Sequence, residues 1–110
     1  MHSSKSAFKG KKVTVLGLGL LGKGLGDAIF LAQNGALVTV TDMKTAKELA
    51  PSVAALKKYK NVAFKLGGHD LADFESCDFV LKAQGVPLDS PYIAHAREKN
   101  IPIRMDDELF

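Results

Sequence analysis

The chain predicts a doubly wound α/β fold, a parallel five-stranded sheet in the order 3-2-1-4-5 with helices on both faces. Three observations carry that prediction. Short apolar runs rich in β-branched residues alternate along the chain with segments of helical period. A glycine cluster, Gly17-x-Gly19-x-x-Gly22, stands between the first run and the first helical segment. An acid, Asp42, closes the second run. Alternating strands and helices imply parallel, right-handed crossovers. The order 3-2-1-4-5 puts the reversal of winding between strands one and four, and ligands bind there at the carboxyl ends of the strands.

The totals suit one globular domain. With 110 residues, 46% hydrophobic and 25% charged, the chain has enough apolar side chain for a core and enough charge for solubility. Residues 1–10 are polar and expected to form a flexible N-terminal segment, with the domain itself over 11–110. No apolar run approaches a membrane span, and Met1-His2-Ser3-Ser4 lacks the apolar core of a signal peptide. A cytoplasmic protein with no membrane partner is expected. Cys77 has no second cysteine to pair with and reads as a small buried residue. The net charge of +3 is mild, and the lysines at 5, 9, 11 and 12 and at 57, 58 and 60 are accompanied by no run of arginines. They read as solvated faces, so no nucleic-acid partner is expected, and the chain is expected to be a monomer.

Taken in order, strand one spans about Lys12 to Leu18. Leu21, Leu25, Ala28, Ile29 and Ala32 then fall on one face of a 3.6-residue period, and Asn34-Gly35 ends that helix with a left-handed glycine. Gly24 and Gly26 lie in its first turns and cost roughly 1 kcal/mol each against Ala, which implies a close approach there, either to the strand or to a ligand. Strand two is Ala36–Thr41, closing on Asp42. Thr45 and Glu48 have capping-box spacing, and Pro51 divides the helical stretch after Asp42 into two short pieces, about 45–50 and 51–59. Strand three is Val62–Leu66. Gly67-Gly68 then forces a turn, Asp70 caps a short helical piece carrying Leu71 and Phe74, and His69 reads as a structural turn residue. Strand four is Asp78–Lys82. Ser90 caps a helix with Pro91 at its first position and Tyr92, Ile93 and Ala96 inward. Asn100 ends it, Ile101–Ile103 is a fifth strand, and Met105–Phe110 begins a further helix.

The chemistry concentrates in three loops. A strand, a glycine turn and a helix N-terminus bring backbone N–H groups and the positive end of the helix dipole to one point, which suits phosphate. Gly17-x-x-x-x-Gly22-Lys23 also begins a P-loop, but its Mg²⁺-binding hydroxyl position is Gly24. A nucleotide diphosphate therefore fits better than the γ-phosphate of ATP. Asp42 follows Gly22 at the interval of about 20 residues where the dinucleotide fingerprint places a ribose-binding acid. A cap or turn role for Asp42 competes with ligand contact, and one carboxylate is able to do both. The third loop is Ala83–Gly85. No cluster at metal-ligand spacing and no nucleophile–base pair is evident, so the chain reads as a binding module without catalytic residues or a metal site of its own.

Several stretches taken together resemble a known family. They are Gly17-Leu-Gly-Leu-Leu-Gly-Lys23, Val38-Thr-Val-Thr-Asp42, Gly67-Gly-His-Asp70, Gly85-Val-Pro-Leu-Asp-Ser-Pro91, Asn100-Ile-Pro-Ile103 and Glu108-Leu-Phe110. In that order they are similar to the N-terminal domain of the MurD branch of the Mur ligases, the UDP-N-acetylmuramoyl-L-alanine:D-glutamate ligases of peptidoglycan biosynthesis. The resemblance covers residues 10–110 and implies a Rossmann-like domain that binds the uridine diphosphate end of UDP-N-acetylmuramoyl-L-alanine. It implies diphosphate and uracil contacts from Gly19, Leu20, Leu21 and Gly22. It places Asp42, Met43 and Lys44 beside the uracil or ribose, and Ala83, Gln84 and Gly85 in a second diphosphate loop. Leu21 stands where the family often has Ser or Thr, and Ala83-Gln84 where it often has Ser/Asn-Pro, so these contacts fall to the backbone. The resemblance also implies that ATP and Mg²⁺ act on the central domain of the full-length ligase, with no cofactor on this domain. An NAD-binding Rossmann domain of a dehydrogenase or channel regulator is the main alternative; a P-loop phosphotransferase and a ligand-free assembly domain are the others.

Overall fold

The computed structural model describes residues 8–18, 23–83, 86 and 89–105. Its elements are β1 (Lys12–Leu16), α1 (Lys23–Gln33), β2 (Leu37–Asp42), α2 (Ala50–Leu56), β3 (Val62–Leu66), a 3₁₀ turn (Leu71–Phe74), β4 (Phe79–Lys82), α3 (Pro91–Glu98) and β5 (Ile103–Met105). The five strands form one sheet in the order β3-β2-β1-β4-β5, every pairing parallel. The predicted order and class both hold.

The register explains which side chains meet. Val15 lies between Val40 of β2 and Leu81 of β4, and Val13 between Val38 and Phe79. All six point to one face and are buried there with Leu25, Ala28 and Leu31 of α1 and Leu49 and Leu56 beside and within α2. The alternate residues face the other way: Leu16 and Val80 pack with Ile93 and Ala96 of α3, Phe74 and Cys77. Two buried faces on a parallel sheet favour near-continuous apolar runs, which is how β4 begins, while β2 alternates valine with threonine. Thr14, Thr41 and Lys82 are the buried polar side chains of the strands on the second face, and the Thr14 hydroxyl donates to the Asp73 carbonyl at 2.6 Å. Cys77 is buried, and burial pushes its thiol up in pKa against an opposing hydrogen bond with Thr14.

The ends of the elements follow their caps. Gly35 has φ +86, the Ala36 N–H reaches the Leu31 carbonyl at 3.0 Å, and the Gly35 N–H reaches Ala32 at 3.1 Å. That is the paired hydrogen-bond arrangement of a glycine-terminated helix. Asn100, at φ +62, ends α3, while Ser90 Oγ accepts from the Tyr92 N–H at its start. Asp70 likewise accepts from the Ala72 N–H and caps the 3₁₀ turn.

Four expectations need adjustment. Thr45 and Glu48 do form the reciprocal box, with 2.9 and 3.3 Å bonds, but it closes single turns over 46–49 rather than a helix. Proline at 51 has no N–H to continue a helix through it, so α2 starts only at Ala50. Phe8 falls in the segment expected to be flexible, yet it is 7% exposed and meets Phe30 edge-on at 5.8 Å and Phe79 at 6.2 Å. An aromatic that large recovers more by covering the α1–β4 seam than by staying in water, so packing begins ahead of Gly10. β5 runs to Met105, two residues beyond its predicted end, because its partner β4 is buried through Lys82, which pairs with Met105. The helix expected over Met105–Phe110 falls, after Met105, outside the described residues.

Candidate functional site

The carboxyl ends of β1, β2 and β4 meet at the reversal of winding, and glycine geometry brings their loops into contact. Gly17 takes φ +95, and its N–H donates to the Thr41 carbonyl at 2.8 Å, so the turn leaves β1 along the end of β2. A Cβ at Gly17 would lie 3.1 Å from the Ala83 Cβ and 3.2 Å from the Val86 Cγ2. The turn thus also touches the loop after β4. Gly24 shows why the first helix tolerates glycine, since a Cβ there would stand 2.4 Å from the Leu18 carbonyl oxygen and 2.5 Å from that of Gly17. Gly26 has open space instead, so the predicted close approach is found at Gly24 alone.

Asp42 fastens the β2 side. One carboxylate oxygen accepts from the Leu18 N–H at 2.9 Å, and the other from the Lys44 N–H at 2.9 Å. The first bond ties the glycine turn to β2, and the second folds Asp42–Lys44 into an Asx turn. The loop after β3 locks onto the same corner, with Gly68 N–H on the Asp42 carbonyl at 3.1 Å and Gly67 N–H on that of Lys44 at 2.8 Å. Met43 and Lys44 are left exposed, Met43 by 65%.

Lys82 fastens the β4 side. It is only 3% exposed, and its ammonium donates to the Ala83 carbonyl at 2.9 Å and the Val86 carbonyl at 2.5 Å. The Val86 N–H returns to the Ala83 carbonyl at 3.2 Å, closing a four-residue turn.

Between these corners lies a cleft of about 400 Å³. Leu16 and Val86 line it below, Met43 stands at one side, and Asp89, Ser90 and Pro91 lead into α3 at the other. His69 and Tyr92 make an aromatic wall, ring centroids 4.7 Å apart and edge to face. His69 Nδ1 is hydrogen-bonded to the Thr41 hydroxyl. Burial lowers the His69 pKa, and the Asp42 charge partly opposes that shift. The lining is mainly apolar and aromatic with a few polar groups, which suits a planar organic ring better than a metal. Among the described residues no cluster of metal-ligating side chains occurs. A smaller cavity, about 240 Å³, opens at the amino ends of β1 and β2 beside Thr14, Asp73 and Cys77. Burial raises the Asp73 pKa there, opposed by Lys65 and reinforced by Asp70. None of the sequence-predicted site residues lines it.

Of those predicted residues, the structure places Asp42, Met43 and Lys44 on one side of the Gly17 turn and Ala83 on the other. Gly19, Leu20, Leu21, Gly22, Gln84 and Gly85 lie outside the described residues. His69 sits in its turn as the sequence predicts, but its place on the cleft wall depends on Thr41 and Tyr92, both remote in sequence. Sequence reasoning misses Lys82 as a site residue. Its signal is a lysine ending the apolar run Phe79-Val80-Leu81, in a strand buried on both faces.

Residues 11–105 match the family described as Mur ligase MurD-like, N-terminal domain. Among relatives named UDP-N-acetylmuramoylalanine--D-glutamate ligase, the Treponema pallidum protein is 38% identical over 111 residues, covering 100% of this chain and 21% of that protein. The Anaeromyxobacter dehalogenans protein is 43% identical over 102 residues, covering 93% and 21%. The chain therefore spans about a fifth of the length of these curated relatives. The crystal structure of the UDP-N-acetylmuramate-alanine ligase MurC from Thermotoga maritima superposes with a TM-score of 0.69 at 22% identity, over 89% of this chain and 21% of that one. An NADH-dependent reductase solved with NAD gives 0.59 at 16% identity, over 86% and 52%. At such identities both likenesses concern the fold alone. The family match, by contrast, runs through all five strands and the loops that border the cleft, and by it the chain belongs to the MurD-like N-terminal domains of the Mur ligases.

Proposed function

We propose that this domain holds the uridine diphosphate end of UDP-N-acetylmuramoyl-L-alanine for a ligase that adds D-glutamate with ATP during peptidoglycan biosynthesis. The observation that carries the reading is the junction of the Gly17 turn with the Ala83–Val86 loop, beside an apolar cleft with an aromatic wall. Phosphates call for backbone donors at a glycine turn, and a nucleobase calls for a flat apolar slot. The described start of the glycine turn and the apolar slot lie side by side, which supports the reading. Asp42, Met43 and Lys44 form the rim where a base or ribose would lie, and a carboxylate there suits an imide N–H or a ribose hydroxyl. Relatives carry the ligase name over chains about five times as long, so the acyl-phosphate chemistry, with its ATP and Mg²⁺, belongs to the rest of such an enzyme. This domain binds and orients.

The test is a titration of the 110-residue chain with UDP and with NAD⁺, read by backbone amide shifts. UDP is expected to move Gly17, Leu18, Asp42–Lys44, Ala83 and Val86 and to saturate at lower concentration than NAD⁺. Tighter binding of NAD⁺ at the same residues would replace this reading with a dehydrogenase-type dinucleotide site.

A further inference from the structure

Lys82 is a buried cation whose partners among the described residues are dipoles. It ends β4, between Leu16 of β1 and Met105 of β5, where a strand covered on both faces ordinarily carries an apolar side chain. The ammonium has three N–H donors, and two go to the Ala83 and Val86 carbonyls. Among the described residues no carboxylate forms an ion pair with it. Burying a charge is costly, and a methionine of nearly the same length would fill the space without that cost. Stability alone does not explain a lysine at this position.

Its surroundings supply a reason. The two carbonyls it draws inward belong to the two residues whose side chains face Gly17 across the cleft junction. The ammonium also brings positive charge to within one loop's thickness of the glycine turn. In that water-poor corner a charge acts more strongly on a bound anion than it would in solvent.

We propose that Lys82 is the positioning cation of the phosphate half of this site, setting the Ala83–Val86 turn through its two carbonyls and attracting the diphosphate from beneath. The inference rests on the uridine diphosphate reading above and adds to it a residue that reaches the ligand through the loop. A purely structural clamp would serve any ligand of the cleft equally. A positioning cation favours ligands in proportion to their negative charge.

The experiment compares uridine, UMP and UDP binding to the wild-type chain, Lys82→Met and Lys82→Gln by calorimetry or amide shifts, with thermal unfolding as the check on folding. Lys82→Met is expected to weaken UDP by about ten- to a hundredfold, UMP by less, and uridine by less than about twofold. Lys82→Gln keeps N–H donors without the charge and should show the same ordering, so it carries the test should Lys82→Met fold poorly. Equal losses for all three ligands, or no loss of UDP affinity, would overturn the role of Lys82 while leaving the binding site in place. Absence of UDP binding to the wild-type chain would remove the substrate reading, and this inference with it.

Discussion

The two sides of the glycine turn are fastened by side chains of opposite sign. On the β2 side the Asp42 carboxylate collects amide N–H groups, one from Leu18 and one from its own turn. On the β4 side the Lys82 ammonium collects carbonyls, both from the loop after it. Asp42 is half-buried at the rim, whereas Lys82 is sealed under its loop. The carboxylate joins two loops that are distant in sequence, so its first consequence is structural. The ammonium holds one local turn at the expense of burying its charge, so its consequence falls on an anionic ligand. Opposite fasteners at one corner divide the work between holding the site and using it.

The comparison is broken most severely by disturbing the turn that both fasteners grip. Gly24→Ala places a methyl against two backbone carbonyls, and overpacking of that kind costs about 1–3 kcal/mol. Gly26→Ala, two residues on, meets open space and should instead stabilise by about 0.5–1 kcal/mol. Urea unfolding of the two variants checks both signs. Equal effects would mean that helix propensity, rather than contact with the turn, governs the start of α1.

The fold is legible in the sequence because its signals are local. Apolar runs separated by helical periods specify a parallel sheet, and Gly35, Ser90, Asp70 and Asn100 each mark an element's end through hydrogen bonds within a few residues. Asp42 is legible because its place depends on the length of one strand–helix–strand unit. Lys82 is not, since a lysine at a strand's end is ordinarily solvated, and only its folded place between β1 and β5, with its ammonium on the Ala83 and Val86 carbonyls, makes it a buried charge. The aromatic wall is illegible for a related reason, because His69 and Tyr92 come from segments that only the sheet order brings together. Pairings across the sheet leave no mark in the spacing of either partner.

Asp42→Ala sharpens the contrast at a comparable cost. It removes two charge-assisted hydrogen bonds from a half-buried corner, so about 1.5–3 kcal/mol of stability should go with it, less whatever water restores. Hydrogen exchange at the Leu18 amide should quicken in step. Lys82→Met, by contrast, should leave unfolding stability within about 1 kcal/mol of wild type, because an apolar residue of similar volume offsets the lost bonds by ending the charge burial. A larger loss from Lys82→Met than from Asp42→Ala would reverse the assignment of holding to the carboxylate and ligand attraction to the ammonium.

The smallest expected effect separates the two sides by pH. His69 lies on the carboxylate side, hydrogen-bonded to Thr41 and near Asp42. Burial lowers its pKa from 6.5, and the Asp42 charge only partly restores it. A histidine with a depressed folded pKa binds fewer protons folded than unfolded, so folding must resist its protonation. Its contribution is therefore fully present above the unfolded pKa and is lost as pH falls through the folded one. Thermal unfolding midpoints of wild type and His69→Gln, compared from about pH 7.5 down to about pH 5, isolate this group from the carboxylates that titrate lower. The wild-type midpoint should fall more steeply across that window, with the Asp42–Lys44 amides loosening before those of Ala83 and Val86. Parallel profiles for the two proteins would show that the imidazole is no more costly to charge in the fold than in the unfolded chain, and that acid does not distinguish the two fasteners.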